Sequence, residues 1–426
     1  MEISALLFLI PLFWVACTIT LYAWKKELLR ATWQEPYFKD SPILIESDDW
    51  GPGGSFHAKR LETLLDHLKQ HKDSTGRTAV LTADTVLALP DTAAMSKETP
   101  PLYKRKFLDE AFPEIYQTMQ KGISVGTLVP QLHGLEHLNG NAFCRLFEQS
   151  DPRVEKASQD SDWWDWESLD SPLQGHYVDG SQLPSKPLKK EEIKKTVELA
   201  TIHFEKIFGH HSSSSVAPCY LWNDDVETAW SHQGINYIQT AGYRCTGRNQ
   251  SGGYIQNPQL IRVGNKSHAG QIYLVRNVMY EPVDGKHSPE TAFEEALQAF
   301  QQALPITIST HRYNYTRSED EFNSSLSGLD KLLERISQNF PAIRFLSSPE
   351  LGDSINNKNE SITNHFNQSS WPQLTQLVGI SKAAAFLQRL RYRHPKLLLI
   401  AKLSGLVIPA MLVISVGHRR LNCTAR

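Results

Sequence analysis

The feature that most constrains this chain is an alternation of strand-like and helix-like segments from about residue 42 to residue 346. Pro42 to Glu46 reads as a strand, and Leu61, Leu64, Leu65 and Leu68 then recur at helical spacing. Thr78 to Leu81, Ile123 to Val129, Val216 to Trp222, Ile235 to Thr240, Ile272 to Arg276, Pro305 to Ser309 and Ile343 to Leu346 read as further strands. Between them, Ile193, Val197, Ala200, Phe204 and Ile207 mark one helix face. Phe293, Ala296, Leu297 and Phe300 mark a second, and Leu329, Leu332, Leu333 and Ile336 a third. Apolar strands flanked by amphipathic helices bury both sheet faces, which favours parallel pairing. The pattern predicts an α/β domain with a mainly parallel sheet, closed or distorted into a barrel. There is no internal repeat.

Composition narrows the function classes. With 426 residues, 40% apolar and 21% charged, the chain is long enough for one large domain or two ordinary ones. A formal charge of −2 gives no clustered basic footprint, so nucleic acid is not an expected partner. The 5 cysteines are scattered without a CxxC pair, which points away from a thiolate zinc site and a disulfide framework.

The ends differ from the middle. Ile3 to Trp24 is almost uninterruptedly apolar and is followed by Lys25 and Lys26. That is about the 20 residues a spanning helix needs. Without a basic start or an A-x-A site, residues 1–26 read as a transmembrane anchor rather than a cleaved signal. Leu397 to Gly417 is a second apolar run, broken by Lys402 and Pro409, and is expected to span as well. Residues 352–372 read as a linker and 373–395 as a basic amphipathic helix. These readings place one large domain over 38–351 between two terminal membrane helices, with membrane lipid as a partner. Lys25, Lys26 and Arg30, with Arg389, Arg391, Arg393 and Lys396, tip the domain to the cytoplasmic face of a bacterial inner membrane.

Residues 150–187 break the alternation with a polar, proline-punctuated stretch that carries Trp163, Trp164 and Trp166 among acidic residues. A loop this long inside a compact domain is usually functional or disordered. Its tryptophans suit either a stacking platform or a packed cap.

Three signals carry chemistry, each just beyond a strand-like run. In Glu46-Ser47-Asp48-Asp49-Trp50-Gly51, two adjacent carboxylates repel unless a cation lies beside them. A metal meets that need, though Asp-Asp near Gly is also common in solvated turns. In His133-Gly134-Leu135-Glu136-His137 the histidines stand four apart, near enough to share one metal. They also suit a surface or capping pair. His311 closes the run Ile306 to Thr310, where a lone histidine is often structural. All three fall on the edge where α/β folds gather active sites.

Together these residues resemble the NodB-type polysaccharide deacetylases, metal-dependent carbohydrate esterases, over roughly residues 40–350. The resemblance implies a distorted (β/α) barrel, Asp48 as general base, Asp49, His133 and His137 as metal ligands, and His311 as general acid. It implies one divalent ion, zinc first, and an acetylated amino-sugar glycan or its precursor as substrate. The oxyanion would be held by the metal and a backbone N–H near Tyr220. Departures mark a divergent branch. Trp50 stands between the Asp pair and Gly51, where it lies near the substrate, and Gly134 replaces the usual Ser or Thr. The middle motif, Ala217-Pro218-Cys219-Tyr220, lacks the Arg that steadies the base, for which Arg312 is the nearest substitute.

Two other classes fit parts of the pattern. His133 to His137 also satisfies H-x-x-E-H, a zinc-protease motif with Glu136 as base and Glu205 as a further ligand. That motif must lie within a helix, whereas here Pro130 and Asn139-Gly140 frame a strand-end loop. The third class is a non-catalytic membrane scaffold or glycan-binding relic.

Overall fold

A computed structural model describes residues 3–38, 40–155, 157, 164–356 and 384–403. Its centre is a nine-stranded sheet. The strands are β1 (Ser41–Trp50), β2 (Leu81–Thr85), β3 (Leu128–Leu132), β4 (Ser214–Ser215), β5 (Tyr237–Thr240), β6 (Ile272–Val275), β7 (Val278–Met279), β8 (Ile306–His311) and β9 (Ile343–Phe345). Their order is β6-β5-β4-β3-β2-β1-β8-β7, with β9 on β1, and every pair is parallel. Only Arg276 and Asn277 separate β6 from β7. Arg276 N donates to Thr240 O at 2.8 Å and Asn277 N to Thr307 O at 3.3 Å. One stretch of chain thus borders both edges of the curled, half-barrel-like sheet.

Helices cover the barrel. After α1 (Ile3–Gln34) come α2 (Ser55–Leu68), α3 (Pro113–Ser124), α4 (Lys190–Phe208), α5 (Asp224–His232), α6 (Pro289–Gln301), α7 (Glu319–Asn339), α8 (Ser348–Asn356) and α9 (Pro395–Leu403). The leucine stripe of α2 and the Leu329 to Ile336 stripe of α7 are buried in one continuous core. Truncating one such leucine, Leu64→Ala for instance, costs about 2–5 kcal/mol.

Two strand expectations shift. Val216 to Trp222 is not a strand: Pro218 lacks an N–H, and Cys219 (φ 56) and Tyr220 (φ 53) turn the chain into a 3₁₀ turn. In the Ile123 to Val129 run, α3 continues to Ser124, Gly126 (φ 76) turns the chain, and β3 begins at Leu128. The described residues of 150–187 form short 3₁₀ turns and a two-residue ladder, Val178–Asp179 against Lys186–Pro187.

The membrane placement is corrected. Among the described residues no helix is long and apolar enough to cross a membrane. The apolar part of α1 contains Pro11, and non-helical angles at Lys25 interrupt the helix beside Lys26. Helix α9 is described from Pro395 to Leu403. Residues 404–417 of the expected second span lie outside the described residues. The membrane placement, with its N-terminal anchor, lipid partner and choice of membrane face, is therefore withdrawn. Instead, Leu21 of α1 packs against Leu390, Leu397 and Ala401. The expected basic helix is helical over 384–393, but its Arg389 is buried, donating to Thr32 O, Glu35 O and Pro36 O at the end of α1. The expected linker is helical to Asn356, and the rest of it lies outside the described residues.

Candidate metal centre

β1 ends in a bulge. Its register with β2 shifts between Ser47 and Trp50, so one extra residue is inserted. On a regular strand Asp48 and Asp49 would face opposite sides. Here Asp49 takes φ 69, and both carboxylates line one cavity of about 380 Å³. Aspartate is among the few residue types that reach this region at modest cost. Gly51 (φ 139) turns the chain next, where a Cβ would lie 2.0 Å from Val86 O.

His133 follows β3 directly, and His137 lies on an irregular turn rather than a helix. Gly134 (φ 81) makes that turn, and a Cβ there would press to 3.0 Å from Glu136 O. His133 Nε2 and His137 Nε2 lie 3.4 and 3.3 Å from Asp49 Oδ1. His133 Nδ1 sits 3.0 Å from Val216 O. A carbonyl only accepts, so Nδ1 carries the proton and Nε2 keeps its lone pair for the centre.

These residues fit a divalent cation. One donor atom from each of Asp49, His133 and His137 lies within 4.8 Å of the others, and Asp49 Oδ1 is buried without a hydrogen bond. Two imidazoles and a carboxylate match a common catalytic zinc set with an open position. Burial lowers the His137 pKa to about 4, which keeps the imidazole neutral. Burial opposes ionisation of Asp49, but His137 and His133 outweigh it and hold the carboxyl well below the usual range.

Asp48 and His311 face each other across the β1–β8 register, with His311 Nε2 3.7 Å from Asp48 Oδ2. Arg276, just past β6, grips Asp48 through Nη1 and Nη2 at 2.7 and 2.6 Å. Burial would raise the Asp48 pKa, but Arg276, His133 and His311 hold it far below the carboxylate range. His311 Nδ1 meets Glu281 Oε1 at 2.5 Å. Burial pulls the His311 pKa down, but Glu281, Asp48 and Asp49 more than offset this and raise it to about 10. The pocket thus pairs a fixed anion with a preset cation beside the metal ligands.

Sequence reasoning missed Arg276 and Glu281. Arg312 is not the substitute for the missing motif arginine. Its backbone N donates to Asp48 O, while its guanidinium donates to Pro52 O at 3.0 Å and lies 3.9 Å from the Trp166 ring. Arg312 Nη2 also reaches Glu167 Oε1 at 3.3 Å. It therefore ties the 150–187 stretch down, and brings Glu167 and Gln174 to the pocket wall. The tryptophans are corrected too. Trp164 stacks on Phe143, Trp166 is buried, and Trp50 is buried with Nε1 donating to Ser47 Oγ at 2.9 Å. Trp163 lies outside the described residues. Tyr220, Tyr243, Tyr254 and Tyr313 supply the aromatic wall instead. The Tyr220 N–H donates to Ala217 O at 2.9 Å, so it is not free for an oxyanion.

The protease reading loses its base. Glu136 is buried and turned to Tyr103 Oη and to Arg105 at 3.2 Å, outside the cavity lining. Burial raises its pKa further. Glu205 sits on α4 beside His211 at 3.3 Å.

No family model and no curated relative matches the chain. It is similar to several solved structures. A family 4 carbohydrate esterase from Streptomyces lividans shares 9% identity over 72% of this chain and 91% of that one, with a TM-score of 0.34. The peptidoglycan deacetylase PdaC from Bacillus subtilis shares 12% over 76% and 95%, with a TM-score of 0.35. A 4-alpha-glucanotransferase from Thermococcus litoralis shares 9% over 88% and 48%, with a TM-score of 0.40. At TM-scores below 0.5 these likenesses support no functional assignment, which is taken from the site's own geometry.

Proposed function

We propose that this chain is a metal-dependent deacetylase that removes acetyl groups from a carbohydrate, N-acetyl first and O-acetyl as the alternative. The observation that carries the reading is the pairing of Asp48 with Arg276 and of His311 with Glu281 on facing strands beside Asp49, His133 and His137. The catalytic unit spans about 38–351, with the 150–187 stretch folded over its pocket.

A divalent ion held by Asp49, His133 and His137, zinc first, supplies carbonyl polarisation and a lowered water pKa. Asp48, ionised and fixed, accepts the proton of the attacking water. His311 enters protonated and donates from Nε2 to the departing amine, so the C–N bond breaks to give acetate and a free amine. The tyrosine wall offers faces on which sugar rings stack.

Purified full-length protein, stripped by chelator and reloaded with zinc, tests this. Acetate release from N-acetylglucosamine oligomers or O-acetylated sugars in the reloaded protein alone is the expected result. Peptide cleavage instead, or no release from any acetylated sugar, refutes the reading.

A further inference from the structure

Arg276 is held on more sides than its grip on Asp48 requires. Nε donates to Glu46 Oε2 at 2.7 Å. Nη1 donates to Asp48 Oδ2 at 2.7 Å and to Tyr220 Oη at 3.1 Å. Nη2 donates to Asp48 Oδ1 at 2.6 Å and to Asp84 Oδ2 at 2.9 Å. A guanidinium has five N–H donors in a rigid fork, and all are engaged. The side chains of Arg276, Glu46 and Asp84 are 0% exposed.

Glu46 and Asp84 are in turn anchored from below. Glu46 lies two residues before Asp48 on β1, and Ser348 Oγ meets its Oε1 at 2.5 Å. Ser348 N donates to Thr82 Oγ1 at 3.1 Å, which ties the start of α8 to β2. Gln239 Nε2 on β5 donates to Asp84 Oδ2 at 3.1 Å and to Ser348 Oγ at 3.2 Å.

We propose that Glu46 and Asp84 are positioning residues for the base: they fix the tilt of the Arg276 guanidinium and so aim Asp48 from beneath the pocket, through β1, β2 and α8. The proposal rests on the reading of Asp48 as base. Two partners on Asp48 alone would let the fork pivot about that contact, whereas bonds at Nε and Nη2 remove the pivot. Three ionised carboxylates on one guanidinium would leave buried charge uncompensated. Burial and the Asp48 carboxylate push the Asp84 pKa well above its usual range, so Asp84 serves as a neutral acceptor. An amide does the same, which makes Asp84→Asn the conservative substitution and Asp84→Leu the disruptive one.

The test reads hydrogen exchange of the arginine Nε–H and Nη–H groups by nitrogen-edited NMR on the full, metal-free protein, with Arg276 assigned by its loss in Arg276→Lys. Slow exchange is expected in wild type, Asp84→Asn and Glu46→Gln, and about tenfold faster exchange in Asp84→Leu and Glu46→Leu. Ser348→Ala, one bond further out and milder for folding, is expected to give a smaller increase. In zinc-loaded protein the leucine variants should lose about 10–100-fold in kcat with KM and metal content held. Unchanged exchange in both leucine variants overturns the proposal, as does equal loss in Asp84→Asn and Asp84→Leu. Absent acetate release by wild type refutes the deacetylase reading instead, and leaves the exchange result standing.

Discussion

The two walls of the pocket hold their titratable groups in opposite ways. On one, Asp48 has 5% of its side chain exposed and is clamped by a fully buried cation, Arg276. On the other, His311 keeps 27% exposed and leans on a buried anion, Glu281. A base must be ionised and immobile before substrate arrives, so a dry bidentate clamp suits it. An acid must reach a leaving group that comes and goes, so one buried anchor and an open face suit it. The difference teaches that charge is preset on both walls, but rigidity on only one.

Removing the clamp should have the largest effect. Arg276→Leu strands Glu46, Asp48 and Asp84 around an apolar side chain, and urea unfolding should show a loss of about 3–5 kcal/mol, with activity abolished. Arg276→Lys keeps the charge but loses the fork, and should fall between that variant and wild type. A full-strength lysine variant would mean that charge alone sets this wall.

The acid wall should break through its pH dependence. The folded-state pKa of His311, about 10, lies above its ordinary 6.5. Its protonation therefore stabilises fully below pH 6.5, and that contribution is lost as pH rises through 10. Glu281→Gln should flatten this loss in metal-free protein, move the alkaline limb of activity to lower pH and lower kcat about 10–100-fold. Identical limbs in variant and wild type would separate Glu281 from the acid.

Arg312→Gln should cost less, about 1–3 kcal/mol, because it loses the Trp166 stack and the Pro52 bond while both walls persist. Limited proteolysis within 150–187 should quicken; unchanged cleavage would show that this stretch does not depend on Arg312. Smallest of all, Glu136→Gln should leave activity within about twofold, since an amide can still bond Tyr103 and Arg105. A dead Glu136→Gln enzyme would revive the protease reading.

The same contrast explains what was legible in the sequence. Asp48, Asp49, His133, His137 and His311 stand at the ends of apolar runs, where short-range pattern and parallel topology coincide, and they converge as expected. Arg276 and Glu281 lie 228 and 30 residues from the side chains they hold, so only register brings them together. One signal was present: Arg276 closes an otherwise apolar strand run, where a cation needs a buried partner. The bulge that turns both aspartates inward leaves no local mark beyond Gly51. Tryptophan content could not separate a stacking platform from a cap, and burial decided for the cap at Trp164 and Trp166. At the N-terminal end, apolar length did not reveal the break at Lys25 or the packing of Leu21, because both depend on neighbouring structure.

The central claim is that Asp49 binds the metal while Asp48, its neighbour, does not. Zinc titrated calorimetrically into metal-free wild type, Asp48→Asn and Asp49→Asn measures this directly. Wild type and Asp48→Asn should bind one ion per chain with similar affinity, and Asp49→Asn should bind at least about 10-fold more weakly. Equal loss in both variants, or intact binding in Asp49→Asn, would contradict the division of labour between the two aspartates.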